Sequence, residues 1–355
     1  MGIKDLTVFL KEFAPQCITK GNLSHITNKS SLDRKMRAAI DTSLFLYKYK
    51  YRSGDNFITE FLEQINRLLI NNIEPIYVFD GAPPSEKKDT INIRKERKNS
   101  YLNKIKELEE QYNQINSNQN NLPNDENDTK MNKQAILDEI TKIRRKTISI
   151  TSEDTAKLKY FLDIMNIKYI KKNMEADIIC SKLSSEGIVD FVISEDMDHL
   201  TSGTKILLRD FNNKNNYVTI YNLDIALKTL NITHDKWIEL CILFGCDYVS
   251  RIKGLGYKTS YKYISKHKED TFENILNIIL QNKKFVLPEN YLEKVSKAKT
   301  IFENNIDMSD LEEFCSKNDV FENQADVIKN YLKKYTQFSE QKIKNRIKNI
   351  LGYCI

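Results

Sequence analysis

The sequence predicts an α/β protein, a mostly parallel central sheet flanked by helices, and three observations carry that expectation. Short β-rich runs alternate with longer amphipathic stretches, as when parallel strands are joined by crossover helices. A charged helical insertion at about residues 85–149 interrupts the alternation, and from Asp235 onward the pattern is helical. The chain has 355 residues, 40% of them hydrophobic and 29% charged, which is enough for a full core and unlike a disordered or membrane-embedded chain.

The opening, MGIKDLTVFLKEF, carries acids and lysines where a signal peptide needs an unbroken apolar core, so the N-terminus is expected to be retained. Leu6 stands where a myristoylation pattern needs Ser or Thr, which removes Gly2 as a lipid anchor. No run of about 18 apolar residues occurs anywhere, so no membrane span is expected.

Five strand candidates follow at 36–40, 75–79, 167–170, 190–193 and 205–208, separated by helical patterns such as 56–69. The first runs into Asp41, the second into Asp80, the third into Glu175 and Asp177, and the fourth into Glu195, Asp196 and Asp198. Ligands of open α/β sheets bind beyond the carboxyl ends of the strands, so these acids are expected to converge on one edge. Between the second and third strands, the insertion opens with a basic stretch holding Lys87, Lys88, Arg94, Lys95, Arg97 and Lys98. It passes through QYNQINSNQNN, expected to be disordered, and ends in a basic knot at Lys142, Arg144, Arg145 and Lys146. The helical C-terminal half contains GCDYVSRIKGLGYK, in which Gly254 and Gly256 frame a turn whose main-chain N–H groups can approach a phosphate.

Asp41, Asp80, Glu175, Asp177, Asp196 and Asp198, joined by Asp247 in the GCDY turn, would place up to seven carboxylates around one pocket. Acids so crowded need counter-ions, and hard oxygen donors without His or Cys suit Mg²⁺ or Mn²⁺. Two such ions about 3.5 to 4 Å apart are a recurring device for hydrolysing phosphodiesters. A single aspartate more often caps a helix, and that plainer reading is preferred for Asp33, Asp190 and Asp224; within the group it survives best for Asp247. Glu195 is set aside because Asp196 and Asp198, two apart on an extended segment, already share a face. The six cysteines show no C-x-x-C pair and the four histidines lie far apart, so reduced, mostly buried thiols and no zinc site are expected. The net charge of +6, from 55 basic and 49 acidic residues, says little by itself about a polyanionic partner. From chemistry alone, a manganese-dependent sugar-nucleotide transferase using Asp196 and Asp198 stays open, although it gives the basic insertion no role.

These residues resemble the structure-specific 5′ nucleases, flap endonucleases most closely. The likeness runs through MGIKDL, AIDTSLFLY, PIYVFDGAPPSEKK, EADIICSKL, SEDMDHLTSG, GCDYVSRIKGLGYK and QFSEQKIKNRIK. It implies that the seven carboxylates occupy the family's metal positions, served by two Mg²⁺ ions with Mn²⁺ able to substitute, and that Glu195 does not. It also implies that Lys87 and Arg94 steady the scissile phosphate from a helical gateway, that Tyr47 stacks on a base beside the cleaved bond, and that Gly2 lies close to substrate. Arg144 and Arg145 would contact phosphates along an arch. Gly254, Gly256, Lys258 and Arg251 would contact duplex at a helix-two-turn-helix.

The implied organisation is a nuclease core of residues 1–84 and 150–234, an arch insertion at 85–149, a helix-two-turn-helix at 235–285 and a C-terminal helical region at 286–355 packed on the core. The implied substrate is branched double-stranded DNA with a 5′ flap, cut near the junction by a monomer. A 5′ to 3′ exonuclease or bubble-cutting repair nuclease, and a non-catalytic junction-binding protein, are the alternatives. An intracellular, reducing compartment is expected: the nucleus for a cellular eukaryote, a replication site for a virus. Three departures qualify the likeness. Arg251 stands where relatives carry a Ser that helps hold potassium, which leaves that ion open, since an arginine can supply positive charge directly. Tyr257 stands where a Pro commonly follows. The sequence closes at Cys354-Ile355 without the basic tail and aromatic motif that bind a sliding clamp, so clamp recruitment is not expected.

Overall fold

The computed structural model describes residues 2–28, 34–81, 88–118, 126–212, 215–303, 305 and 324–354. Among them are seven strands: β1 (Ile18–Asn22), β2 (Met36–Asp41), β3 (Ile73–Phe79), β4 (Tyr169–Lys171), β5 (Phe191–Ile193), β6 (Ile206–Arg209) and β7 (Tyr217–Asn222). They form one sheet in the order β1-β7-β6-β5-β2-β3-β4. β6, β5, β2, β3 and β4 are mutually parallel, whereas β7 pairs antiparallel with both β6 and β1. The five parallel strands fall on the five runs read from the sequence. β1 and β7 were not anticipated: ITKGN is polar and half-exposed, as suits a short edge strand, and only its partner makes it one.

Period-two alternation explains why these strands are apolar on both faces. Ala39, Val78, Val192 and Leu207 enter one core with the Leu6–Phe13, Ala176–Ser185 and His234–Phe244 helices. Ala38, Ile40, Tyr77, Phe79, Phe191 and Ile193 enter a second core, with the Thr42–Ser53, Phe57–Ile70 and Ser152–Ile164 helices. The Gln324–Tyr335 and Glu340–Cys354 helices add Ile328, Leu332, Ile343 and Ile347 to that second core, and Arg346 pairs with Glu63 at 2.6 Å.

From β2 the chain moves outward to β3 and β4, then returns through the Ala176–Ser185 helix to β5 on the other side of β2. Successive connections therefore leave the sheet in opposite directions between β2 and β5, opening a crevice at their carboxyl ends. The insertion forms two helices, Lys88–Asn118 and Glu126–Lys146. The first has 31 residues and so runs about 46 Å at the α-helical rise. The two arms meet through Ile105, Ile140 and Ile143, a small apolar contact for their length, aided by Arg144–Glu109 and Lys104–Glu139 ion pairs. Of the Asn-rich run 111–121, for which disorder is expected, residues 111–118 instead continue the first helix, because its hydrogen-bonded ladder carries on through polar residues, and 119–121 lie outside the described residues. Among the described residues no helix is long and apolar enough to cross a membrane.

Candidate active site

Each acid arrives at the crevice because a strand or helix ends there. Asp41 terminates β2 and caps the Thr42–Ser53 helix, its Oδ1 3.4 Å from Leu44 N, while Oδ2 accepts from Ser194 Oγ at 2.9 Å. Asp80 follows β3 and accepts from Ala176 N at 2.8 Å. Glu175 and Asp177 straddle the start of the Ala176–Ser185 helix; Tyr248 donates its hydroxyl to Glu175 at 2.8 Å, and Asp177 accepts from Ile178 N at 2.8 Å. Asp196 and Asp198 follow β5, with Asp198 N donating to Asp196 at 3.2 Å. Glu195 turns the other way, onto Lys48 at 2.8 Å.

The electrostatics link the acids into one field. Desolvation and then repulsion from Asp41 raise the pKa of Asp80, which keeps one edge open to solvent, and Glu175 adds to the effect. The Tyr248 phenol is pushed up by burial and by Asp177, Glu175 and Asp198. Cys246 is pushed up to about 12 by burial, with Asp198 and Asp247 contributing. Burial works against a charged imidazole at His199, yet Asp41, Asp177 and Asp196 hold its pKa above the ordinary value.

The N-terminal segment closes the site. Ile3 N donates to Asp198 Oδ1 at 2.7 Å, and Lys4 N donates to Gly245 O at 3.1 Å in the turn that carries Asp247. Gly2 has φ of +86°, and a Cβ there would stand 2.2 Å from Asp196 Oδ1 and 2.6 Å from Asp198 Oδ1. A side chain there would have to displace those carboxylates and adopt a backbone conformation that favours glycine.

Arg94, on the first arch helix, reaches Asp247 at 2.7 Å, whereas Lys87 lies outside the described residues. Tyr47 is exposed and lines a cavity of about 410 Å³ with Leu44, Lys48, Tyr51, Glu195 and Asp196, so it stands beside the acids. Farther off, Gly254 needs its φ of +84°, and Gly256 caps the Tyr257–Lys266 helix with open space where a side chain would be. Lys258 and Tyr257 both bond Glu12, and Arg251 donates to Phe244 O and Asp5, each at 2.7 Å. Arg144 is paired with Glu109, and Arg145 is exposed. The sequence reading missed Ser194, Tyr248, His199 and Tyr51; the first three act across long sequence separations, and only Tyr51 left a local signal, one helical turn beyond Tyr47.

The donor set suits a hard divalent cation. Oxygen donors of carboxylates gather at the crevice, as such an ion prefers, and burial raises the pKa of the nearby thiols of Cys180 and Cys246. Among the described residues no three such side chains stand in the spacing of a finished coordination polyhedron. Each carboxylate instead takes the internal donor named above, as acids do when they must relieve mutual repulsion.

A model of the XPG N-terminal domain matches residues 1–101, and one of the XPG I-region matches residues 166–247. Flap endonuclease 1 of Plasmodium chabaudi chabaudi is 30% identical over 380 residues, taking in 99% of this chain and 71% of that protein. Flap endonuclease 1 of Plasmodium falciparum is 31% identical over 380 residues, with 99% of this chain but only 53% of that longer protein covered. The catalytic core of Rad2 in complex with DNA substrate shares the fold, with a TM-score of 0.62 at 22% identity over 96% of this chain and 98% of that one. GEN1 in complex with product DNA and a Mg²⁺ ion does so with a TM-score of 0.62 at 18% identity, over 96% and 77%.

Proposed function

Because this chain belongs to the flap endonuclease family, we propose that it is a monomeric, divalent-metal-dependent nuclease that cuts 5′ flaps near the junction of single strand and duplex. The observation that supports this most is the gathering of acids at the β2–β5 crevice, with an arch helix delivering Arg94 to Asp247. Asp41, Asp80, Glu175, Asp177, Asp196, Asp198 and Asp247 would hold two Mg²⁺ ions, for which Mn²⁺ can stand in. Bound there, the ions supply Lewis-acid stabilisation of the charge that develops on a phosphodiester as water displaces the leaving oxygen.

The protein's own residues arrange the strand. Tyr47 offers a ring face to a base beside the acids, and Gly2 permits close approach of the backbone. Arg94, freed from Asp247 by an incoming phosphate, acts on the charge of the transition state together with Lys87. Arg94→Ala should therefore slow single-turnover cleavage about 10²- to 10³-fold with little loss of DNA affinity. Weakened binding with normal cleavage at saturating DNA would reduce Arg94 to an ordinary surface contact.

At the helix-two-turn-helix, Arg251 already places a guanidinium on the carbonyl of Phe244, an acceptor at a helix end. We read this guanidinium, which also pairs with Asp5, as taking the place of the ion. Exchanging K⁺ for Na⁺ at constant ionic strength should leave affinity for flap DNA unchanged, and a gain specific to K⁺ would return the ion to this turn.

The arch supports flaps over recessed ends, because two long arms with a small shared core can order around a flexible single strand and exclude duplex. The test uses end-labelled single-strand, blunt, gapped and 5′-flap DNA, each with Mg²⁺ and with chelator. One metal-dependent cut near the flap junction is expected, suppressed by duplex or a bulky block placed on the flap beforehand. Stepwise mononucleotides from recessed ends, with flaps cut poorly whether blocked or not, would make the chain chiefly a 5′ to 3′ exonuclease.

A further inference from the structure

His199 sits behind Asp41 and has no part in the chemistry described so far. It lies in the Asp198–Thr201 helix with 0% exposure, and among the described residues neither ring nitrogen has a hydrogen-bond partner. Its Nε2 stands 3.5 Å from Asp41 Oδ2, beyond a well-formed bond. A buried imidazole in that condition is costly, and an apolar side chain would fill the position without the cost. Asp41 Oδ2 is engaged by Ser194 Oγ, but a carboxylate oxygen can accept a second donor. Closing the gap by about half an ångström would satisfy Nε2.

We propose that His199 is a positioning residue for the divalent cation: its Nε2–H holds Asp41 Oδ2, so that the other oxygen of Asp41 is presented to the ion. The imidazole is thus a donor kept in reserve behind a metal ligand, and its bond is completed when Asp41 turns from the helix cap toward the crevice. Such outer partners fix the orientation of a ligand and commonly govern metal affinity about 10- to 100-fold. The inference rests on the metal reading of the crevice given above.

Titrating the full chain with Mn²⁺ in the absence of DNA, with free ion followed by electron paramagnetic resonance, tests it. His199→Leu should weaken Mn²⁺ binding about 10- to 100-fold. His199→Gln, whose amide nitrogen can replace Nε2, should regain most of that loss. The melting temperature of each variant without metal is the control that the protein folds. Wild-type Mn²⁺ affinity in the Leu variant, or a Gln variant as weak as the Leu variant, overturns the proposal. A lower metal-free melting temperature with unchanged Mn²⁺ affinity in the folded protein assigns His199 to packing alone. If the unaltered chain takes up no Mn²⁺, the metal reading fails and carries this inference with it; if it binds and the Leu variant binds equally, only the inference fails.

Discussion

Asp196→Ala is expected to lower the single-turnover rate of flap cleavage by about 10³-fold or more in Mg²⁺, while junction binding in chelator stays measurable. A metal ligand contributes several kcal/mol to stabilising transition-state charge, and each 1.36 kcal/mol is tenfold in rate. Duplex affinity, by contrast, comes mainly from basic contacts to phosphates elsewhere. Removing a negative charge that faces phosphate even favours binding when metal is absent. Asp198 should behave alike, but Asp198→Ala also orphans the buried Ile3 N–H, so Asp198→Asn, which keeps the acceptor and loses the charge, is the cleaner variant. Rapid-quench kinetics beside a gel-shift titration separates the two effects. Turnover at the wild-type level in either variant would remove that residue from the metal site.

Gly2→Ala is expected to cost about 10²-fold in single-turnover rate, a loss typical of reacting groups displaced by about an ångström. The added Cβ would overlap the Asp196 and Asp198 carboxylates at 2.2 and 2.6 Å, and the φ of +86° is one an L-residue adopts only under strain. Something must move, and the nearest movable groups are two of the proposed ligands. The fold should survive, since the change lies at the chain's edge and leaves both cores untouched, so the melting temperature in chelator is the control. Unimpaired cleavage by Gly2→Ala would show that the N-terminal segment is merely parked against the acids.

Strand and acid were legible together because both are local: an apolar run of period two, then a carboxylate where the run stops. Asp41, Asp80, Asp196 and Asp198 were found this way, and the crossover logic of parallel strands put them at one edge. β1 was illegible for the same reason, since Thr-Lys-Gly-Asn carries no strand pattern until β7 supplies a partner 199 residues away, Lys20 opposite Thr219 at the centre of the pairing. The insertion's helical character was plain from its charge spacing. That its Arg94 lands on Asp247 was not, because the two lie 153 residues apart.

By itself the sequence determined the α/β class, the parallel strands and the acids that follow them, because each follows from residue type and short-range period. Only the tertiary structure decided how that set is held: Tyr248 on Glu175, Ser194 on Asp41, His199 unpartnered behind it, Ile3 and Gly2 against Asp198 and Asp196. Hydrogen bonding and close approach depend on distances of a few tenths of an ångström between groups far apart in the chain. Those distances exist only once two cores have packed against opposite faces of the sheet and fixed where each strand ends.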